Sequence, residues 1–187
     1  ADQATNVFSC SQEVAGLEVS DTFLHFLGGW LAHLQELIPC FAPTVNSYKR
    51  YQSKSWAPTG AAWSPDNRTA GFRIVGEGQS LRIECRVPGA DVNPYLAYAA
   101  AIAAGLEGLE GKTEPPPVLE GDAYESGTRS LPTSLRDATE LFEASSVARR
   151  AFGDAVVDHY THFWLSESTA FESAVTDWER KRYFERI

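Results

Sequence analysis

Apolar residues recur at three- and four-residue intervals early in the chain. Phe23, Phe26, Leu27, Trp30, Leu31, Leu34 and Leu37 share one face of a predicted helix. Ser20 or Asp21 offers its cap, and Pro39 ends it. Residues 1–20 before it read as a polar, irregular lead-in. From 42 to 89 the texture changes to short runs punctuated by Pro43, Pro58, Pro65 and Pro88 and by Gly60, Gly71, Gly76 and Gly78. That pattern predicts strands over 70–75 and 81–87, joined as an antiparallel hairpin around Gly76-Glu77-Gly78. Asp91 or Asn93 then caps an alanine-rich helix, with Pro94 in its first turn, running to about Gly108. Its small side chains point to close packing against another layer. Residues 111–132, with Pro115-Pro116-Pro117, Gly121 and Gly127, read as a linker or loop. The remainder is helical. Ser134 with Asp137 resembles a capping box, one helix starts at Ser145 and runs through Phe163, and a last one starts at Ser166 and ends near Arg186.

Composition narrows the class. The chain has 187 residues, 43% hydrophobic and 12% aromatic, enough for one well-buried core. The longest strongly apolar run, 95–106, is shorter than the ~20 residues a membrane span needs. No basic-then-apolar leader begins at Ala1, so neither a membrane protein nor a secretory precursor is expected. A net charge of -9 argues against non-specific nucleic-acid binding. Cys10, Cys40 and Cys85 are odd in number and form no CxxC, which fits buried thiols in a reducing, cytoplasmic compartment. The absence of methionine and the start at Ala1-Asp2-Gln3 fit a piece of a longer protein. His25 and His33, two turns apart on the first helix, read as half-buried and hydrogen-bonded. His159 and His162 are three apart on a helix but lack an evident carboxylate to complete a metal site.

Charge is uneven. Between Lys49 and Arg86 stand seven cations (Lys49, Arg50, Lys54, Arg68, Arg73, Arg82, Arg86) against three acids (Asp66, Glu77, Glu84). Arginine dominates, and its planar fork pairs bidentately with carboxylates and phosphates. Alternation along 81–87 puts Arg82, Glu84 and Arg86 on one face and Leu81, Ile83, Cys85 and Val87 on the core-facing other. The polar face reads either as a ladder of surface ion pairs or as a site, with Glu84 holding a divalent metal and the arginines holding the anionic oxygens it polarises.

Several motifs in order then carry a resemblance. Ala42-Pro43-Thr44-Val45-Asn46-Ser47-Tyr48-Lys49-Arg50, Ala57-Pro58, Asp66-Asn67-Arg68-Thr69-Ala70, and Arg82-Ile83-Glu84-Cys85-Arg86 through Asn93-Pro94-Tyr95 resemble the C-terminal catalytic signatures of the glutamine synthetase family. Gly105-Leu106-Glu107-Gly108 and Asp177-Trp178-Glu179-Arg180 are similar to that family's tail. The resemblance implies an α+β fold: a curved antiparallel sheet forming half of an active-site barrel, flanked by helices. On that plan 21–110 is a catalytic core segment and 133–187 a helical tail. It also implies an ATP-dependent ligase that joins the glutamate γ-carboxylate to ammonia or a primary amine through γ-glutamyl phosphate. Arg50 then reaches glutamate and the transferring phosphate, and Arg68 neutralises the γ-phosphate. Arg73 and Arg82 lie near the nucleotide phosphates. Glu84 is a ligand of Mg2+ or Mn2+, and Arg86 binds the glutamate carboxylate. The implied assembly is a ring-shaped homo-oligomer with sites between subunits.

Two departures modify this picture. True glutamine synthetases carry a glutamate just before the Ala-Pro pair, where it helps bind ammonium and take its proton. Here that position is Trp56, preceded by Ser53-Lys54-Ser55. An indole accepts no proton but can line an apolar slot or lie against a cation. Trp56 therefore reads as part of a slot for a larger primary amine, or else as a structural residue of a flap. The second departure is that the family's other metal-binding motifs lie upstream of anything present. The chain alone offers one matched metal ligand, Glu84, and is expected to lack ligase activity by itself. A protein that has lost catalysis and serves as a structural or regulatory subunit is the alternative.

Overall fold

A computed structural model describes residues 5–10 and 12–186. Ala1 and part of the 1–20 lead-in lie outside them. Residues 5–10 of that lead-in form no helix or strand, but 12–19 are not irregular. β1 (Gln12–Val14) and β2 (Leu17–Val19) form an antiparallel hairpin. Its two-residue turn has positive φ at both Ala15 and Gly16, the twist tight hairpins favour.

The core is built on two helices. α1 (Asp21–Leu37) is capped by Ser20, whose hydroxyl accepts from the Phe23 amide at 3.1 Å. It buries Phe23, Leu27, Leu34 and Leu37 completely. Each such side chain contributes about 1.5–3 kcal/mol. Pro39 falls in the 3-10 turn Ile38–Cys40 that ends the helix. α2 (Pro94–Gly111) is capped by Asn93, not Asp91, and runs three residues past the expected Gly108 to a left-handed Lys112. The expected close packing is present. A Cβ on Gly108 would run into the His25 carbonyl and the Gly29 backbone of α1, so both glycines are required where the helices touch.

The sheet has the order β3–β4–β5: β3 (Trp63–Pro65), β4 (Phe72–Val75) and β5 (Arg82–Cys85). The predicted hairpin is there, with β4 and β5 antiparallel and Arg73 opposite Glu84. β3, however, runs parallel to β4, so the sheet is mixed and not antiparallel throughout. Asp66, the residue after β3, has φ +44. Phe72 and Ile74 are buried on the core side, where the Trp30 ring meets Phe72 edge-on at 5.1 Å.

Residues 112–131 are bound along the sheet and do not form a free linker. Leu119 N donates to the Trp63 carbonyl at 3.0 Å, the Trp63 indole donates to the Pro116 carbonyl at 2.7 Å, and Leu131 N reaches the Thr59 carbonyl at 2.9 Å.

The tail is divided differently from the pattern. α3 (Leu135–Glu143), capped by Ser134, is followed by α4 (Ser146–Phe152), capped by Ser145. Gly153, at φ +81, breaks the expected 145–163 helix, and α5 (Asp154–Ser173) runs straight through Ser166. The Ser166 hydroxyl bonds back to the His162 carbonyl at 2.7 Å, so it sits inside a helix and caps nothing. α6 (Asp177–Tyr183) starts at a Thr176–Glu179 capping box. Phe142 and Trp164 pack edge-on at 5.2 Å and join the tail to the core.

His25 bonds Glu114 at 3.1 Å and His33 bonds Glu36 at 2.5 Å, both half-buried as expected. His159 and His162 are exposed. Cys40 is buried, Cys85 half-buried and Cys10 exposed, so the buried-thiol reading fails for Cys10. Burial pushes the Cys40 and Cys85 thiols up to about 12. Among the described residues no helix is long and apolar enough to cross a membrane.

Candidate active site

An open cleft of about 450 Å³ lies where β5 meets the loop after the 3-10 turn Ser47–Arg50. Arg50, Trp56, Glu84 and Arg86 line it together, with Lys49, Gln52, Ser55, Ala57 and Cys85. Residues read 36 positions apart in sequence therefore share one space because β5 runs beside that loop.

Glu84 is the centre of charge. Arg73 Nη1 reaches its Oε2 at 3.2 Å across the β4–β5 pair, and Arg86 Nε stands 3.4 Å from its Oε1. Arg73 also binds Asp66 through Nε at 2.9 Å, which holds the Asp66 carboxyl below its usual range. Arg86 is committed on two sides only. Its Nη2 donates to the Trp56 carbonyl at 3.1 Å, while Nη1 is buried with no hydrogen-bond partner among the described residues. A buried guanidinium nitrogen without an acceptor is costly and suits an anionic ligand.

Arg50 is oriented from below. Its Nη1 donates to the Val87 carbonyl at 3.1 Å, and the same carbonyl accepts from Tyr51 Oη at 3.1 Å. Asp91 sits next to it and ties down the turn from which Arg50 springs, accepting from Ser47 Oγ at 2.6 Å and Thr44 Oγ1 at 2.9 Å. Burial works against its charge, but these hydroxyls and Arg50 outweigh it and hold the carboxyl below its usual range.

Trp56 is 65% exposed at the mouth, with φ +64, and Lys54 two residues before it has φ +65. Bulky side chains adopt that conformation at a cost of about 1–2 kcal/mol. Ser55 stabilises it locally, donating to the Gln52 carbonyl at 2.6 Å and the Arg50 carbonyl at 2.9 Å.

Three of the expected residues do not line the cleft, and of these Arg73 reaches it only through its bond to Glu84. Arg82, exposed at the start of β5, donates to the Ser80 carbonyl at 3.1 Å. Arg68 is exposed in the turn between β3 and β4. Sequence reasoning missed Tyr51, Asp91 and Tyr124, whose partners are backbone carbonyls or distant hydroxyls. Only the position of Asp91 just before a helix cap gave any signal, and it pointed to the wrong role.

Residues 1–183 match the glutamine synthetase catalytic domain. This chain belongs to the glutamine synthetase family. Gamma-glutamylethanolamide synthetase GlnA4 of Streptomyces coelicolor is 52% identical over 90% of this chain and 37% of its own length. Glutamate--isopropylamine ligase of a Pseudomonas species is 37% identical over 98% of this chain and 40% of its own. A solved GmaS/ADP complex superimposes with a TM-score of 0.85 at 35% identity, covering 96% of this chain and 43% of that one. The chain thus spans about two fifths of the length of these glutamine synthetase relatives.

Proposed function

We propose that this chain supplies one wall of the active site of an ATP-dependent glutamate–amine ligase, and that the accepting amine is larger than ammonia. The observation that carries this reading is Trp56 at the mouth of the cleft that holds Arg50, Glu84 and Arg86. An apolar ring there favours the carbon skeleton of an amine and provides no base for ammonium. The named activities of the relatives with ethanolamine and isopropylamine support the same class.

In this reading the γ-carboxylate of glutamate attacks the γ-phosphorus of ATP and releases ADP. The amine nitrogen then attacks the acyl carbon, and phosphate leaves. The partnerless Nη1 of Arg86 takes the substrate carboxylate, and Arg50 faces both glutamate and the phosphate in transfer. Arg68, Arg73 and Arg82 neutralise phosphate oxygens of the nucleotide, all three from outside the cleft described. Trp56 closes over the acyl phosphate and keeps water out.

The family implies Mg2+ or Mn2+. Among the described residues no three His, Cys, Asp or Glu side chains come together, and both Glu84 oxygens face guanidinium groups. These residues do not make a metal site by themselves. Glu84 contributes one ligand to a set completed by other parts of the full-length protein. That protein is proposed to be a cytoplasmic ring-shaped homo-oligomer. The catalytically silent alternative has no observation in its favour.

The deciding experiment gives the full-length protein glutamate, ATP and one amine at a time: ammonia, ethanolamine, isopropylamine or putrescine. One of the larger amines should exceed ammonia in kcat/KM by about tenfold or more, since a fitted apolar slot discriminates on that scale. Ammonia as the best acceptor would overturn the reading.

A further inference from the structure

The Trp56 loop and the Asn67-Arg68-Thr69 turn belong to different stretches, yet both are bonded to four consecutive residues of the 112–131 segment. Tyr124 Oη donates to the Ala57 carbonyl at 2.9 Å. Ala123 N donates to Thr69 Oγ1 at 2.9 Å, and the Gly121 carbonyl accepts from Asn67 Nδ2 at 2.8 Å. Thr69 Oγ1 in turn donates to Asn67 Oδ1 at 2.8 Å. The four residues are themselves folded tightly. Asp122 Oδ1 accepts from Tyr124 N at 2.9 Å, and Ser126 Oγ donates to the Ala123 carbonyl at 2.9 Å.

Two successive carbonyls of the loop are therefore gripped by different parts of the fold. Arg86 holds that of Trp56 from the residue after β5, and Tyr124 holds that of Ala57 from the strap. Trp56 keeps its left-handed φ between them, a conformation that persists only where neighbours fix it. Tyr124 is half-buried, so its hydroxyl bond is sheltered from competing water.

We propose, on the ligase reading above, that Tyr124 is a positioning residue. Through the Ala57 carbonyl it sets Trp56 at the amine entrance, and through the Gly121 and Ala123 bonds it joins that entrance to the turn carrying Arg68. The strap thus makes the amine side and the phosphate side of the site one body. Freed of the Tyr124 bond, the loop opens, the amine binds less tightly, and water reaches the acyl phosphate. Arg73 and Glu84 stay in place because the β4–β5 pair holds them, and Arg86 because its backbone N bonds the Gly71 carbonyl at 2.8 Å.

The test uses the full-length protein and Tyr124→Phe, which removes one oxygen and keeps the ring. Deuterium exchange of the 51–58 peptide should become several-fold faster. The KM for the preferred amine should rise about fivefold, the size expected for one sheltered hydrogen bond. The KM values for glutamate and ATP should stay within about twofold, and ATP hydrolysis without amine should increase. Thr69→Ser, which keeps both hydroxyl bonds, should match the wild type, whereas Thr69→Val should also speed exchange of 51–58. Unchanged exchange in Tyr124→Phe overturns the proposal whatever the kinetics. Faster exchange with an unmoved amine KM, or an equal rise in all three KM values, overturns the positioning role. A wild type without amine-dependent turnover overturns the ligase reading itself, and is seen before any variant is made.

Discussion

Arg73 and Glu84 face each other across the β4–β5 pair and are joined by an Nη1–Oε2 hydrogen bond of 3.2 Å. Glu84 is partly exposed, and Arg73 keeps Asp66 if Glu84 is neutralised, so the pair adds little to folding. Its importance is chemical. Glu84→Gln should leave the melting temperature within a few degrees of wild type, yet lower glutamate-dependent turnover of the full-length protein by about a hundredfold or more. Calorimetry beside a phosphate-release assay separates the two effects. A large fall in melting temperature would make Glu84 a structural residue.

Among the described residues Glu84 belongs to no group of three His, Cys, Asp or Glu side chains that could hold a divalent ion. Purified by itself, the 187-residue chain should release no phosphate from ATP in the presence of glutamate, Mg2+ and amine. Steady glutamate-dependent release from the isolated chain would show that its residues suffice.

Gly89 packs closely against Arg50 and Asp91. A Cβ there would lie 2.5 Å from Asp91 Oδ1 and 2.9 Å from Arg50 Nη1. Contacts that short force a side chain to move, and Arg50 is the one with open cleft in front of it. Gly89→Ala should therefore raise the KM for glutamate by about tenfold through displacement of Arg50, with a smaller effect on the KM for ATP. Equal changes in both would mean a general loss of structure.

What could be read from the sequence followed from periodicity. The faces of α1 and of β5 were legible because three-and-four spacing and strict alternation are local. So was the charge on Arg82, Glu84 and Arg86, although alternation could not tell that Arg82 turns to the Ser80 carbonyl while Arg86 turns into the cleft. The 112–131 strap was illegible for the opposite reason. Its order comes from single hydrogen bonds to the Trp63, Thr59 and Ala57 backbone, which leave no pattern in side-chain type. The break at Gly153 and the continuity at Ser166 depended on one backbone angle and one side-chain bond each.

Lys54 and Trp56 both hold positive φ, and only one of them is needed for its side chain. Lys54 is exposed, with no hydrogen bond through its ammonium among the described residues. Lys54→Gly should stabilise the chain by about 0.5–1 kcal/mol, the left-handed penalty less the extra entropy of glycine. Trp56→Gly should relieve similar strain but reduce the preference for a large amine over ammonia. Denaturant melts and the ratio of kcat/KM values test the pair together.

Asp91 gives the site a defined response to acid. Burial opposes its charge, while the Ser47 and Thr44 hydroxyls and Arg50 favour it more strongly, so the folded carboxyl ionises below its unfolded value near 3.9. The unfolded chain then binds more protons between those two values, and stability rises with pH across them. The contribution is complete above about pH 4–5 and is lost as pH falls through the lower, folded value. Asp91→Asn keeps an acceptor for Ser47 and Thr44 but has no proton to bind. Its melting temperature should fall less steeply than that of wild type between pH 5 and the acid limit, and the two curves should converge at the acid end. Parallel curves would place the acid sensitivity in other carboxylates, such as Asp66 against Arg73.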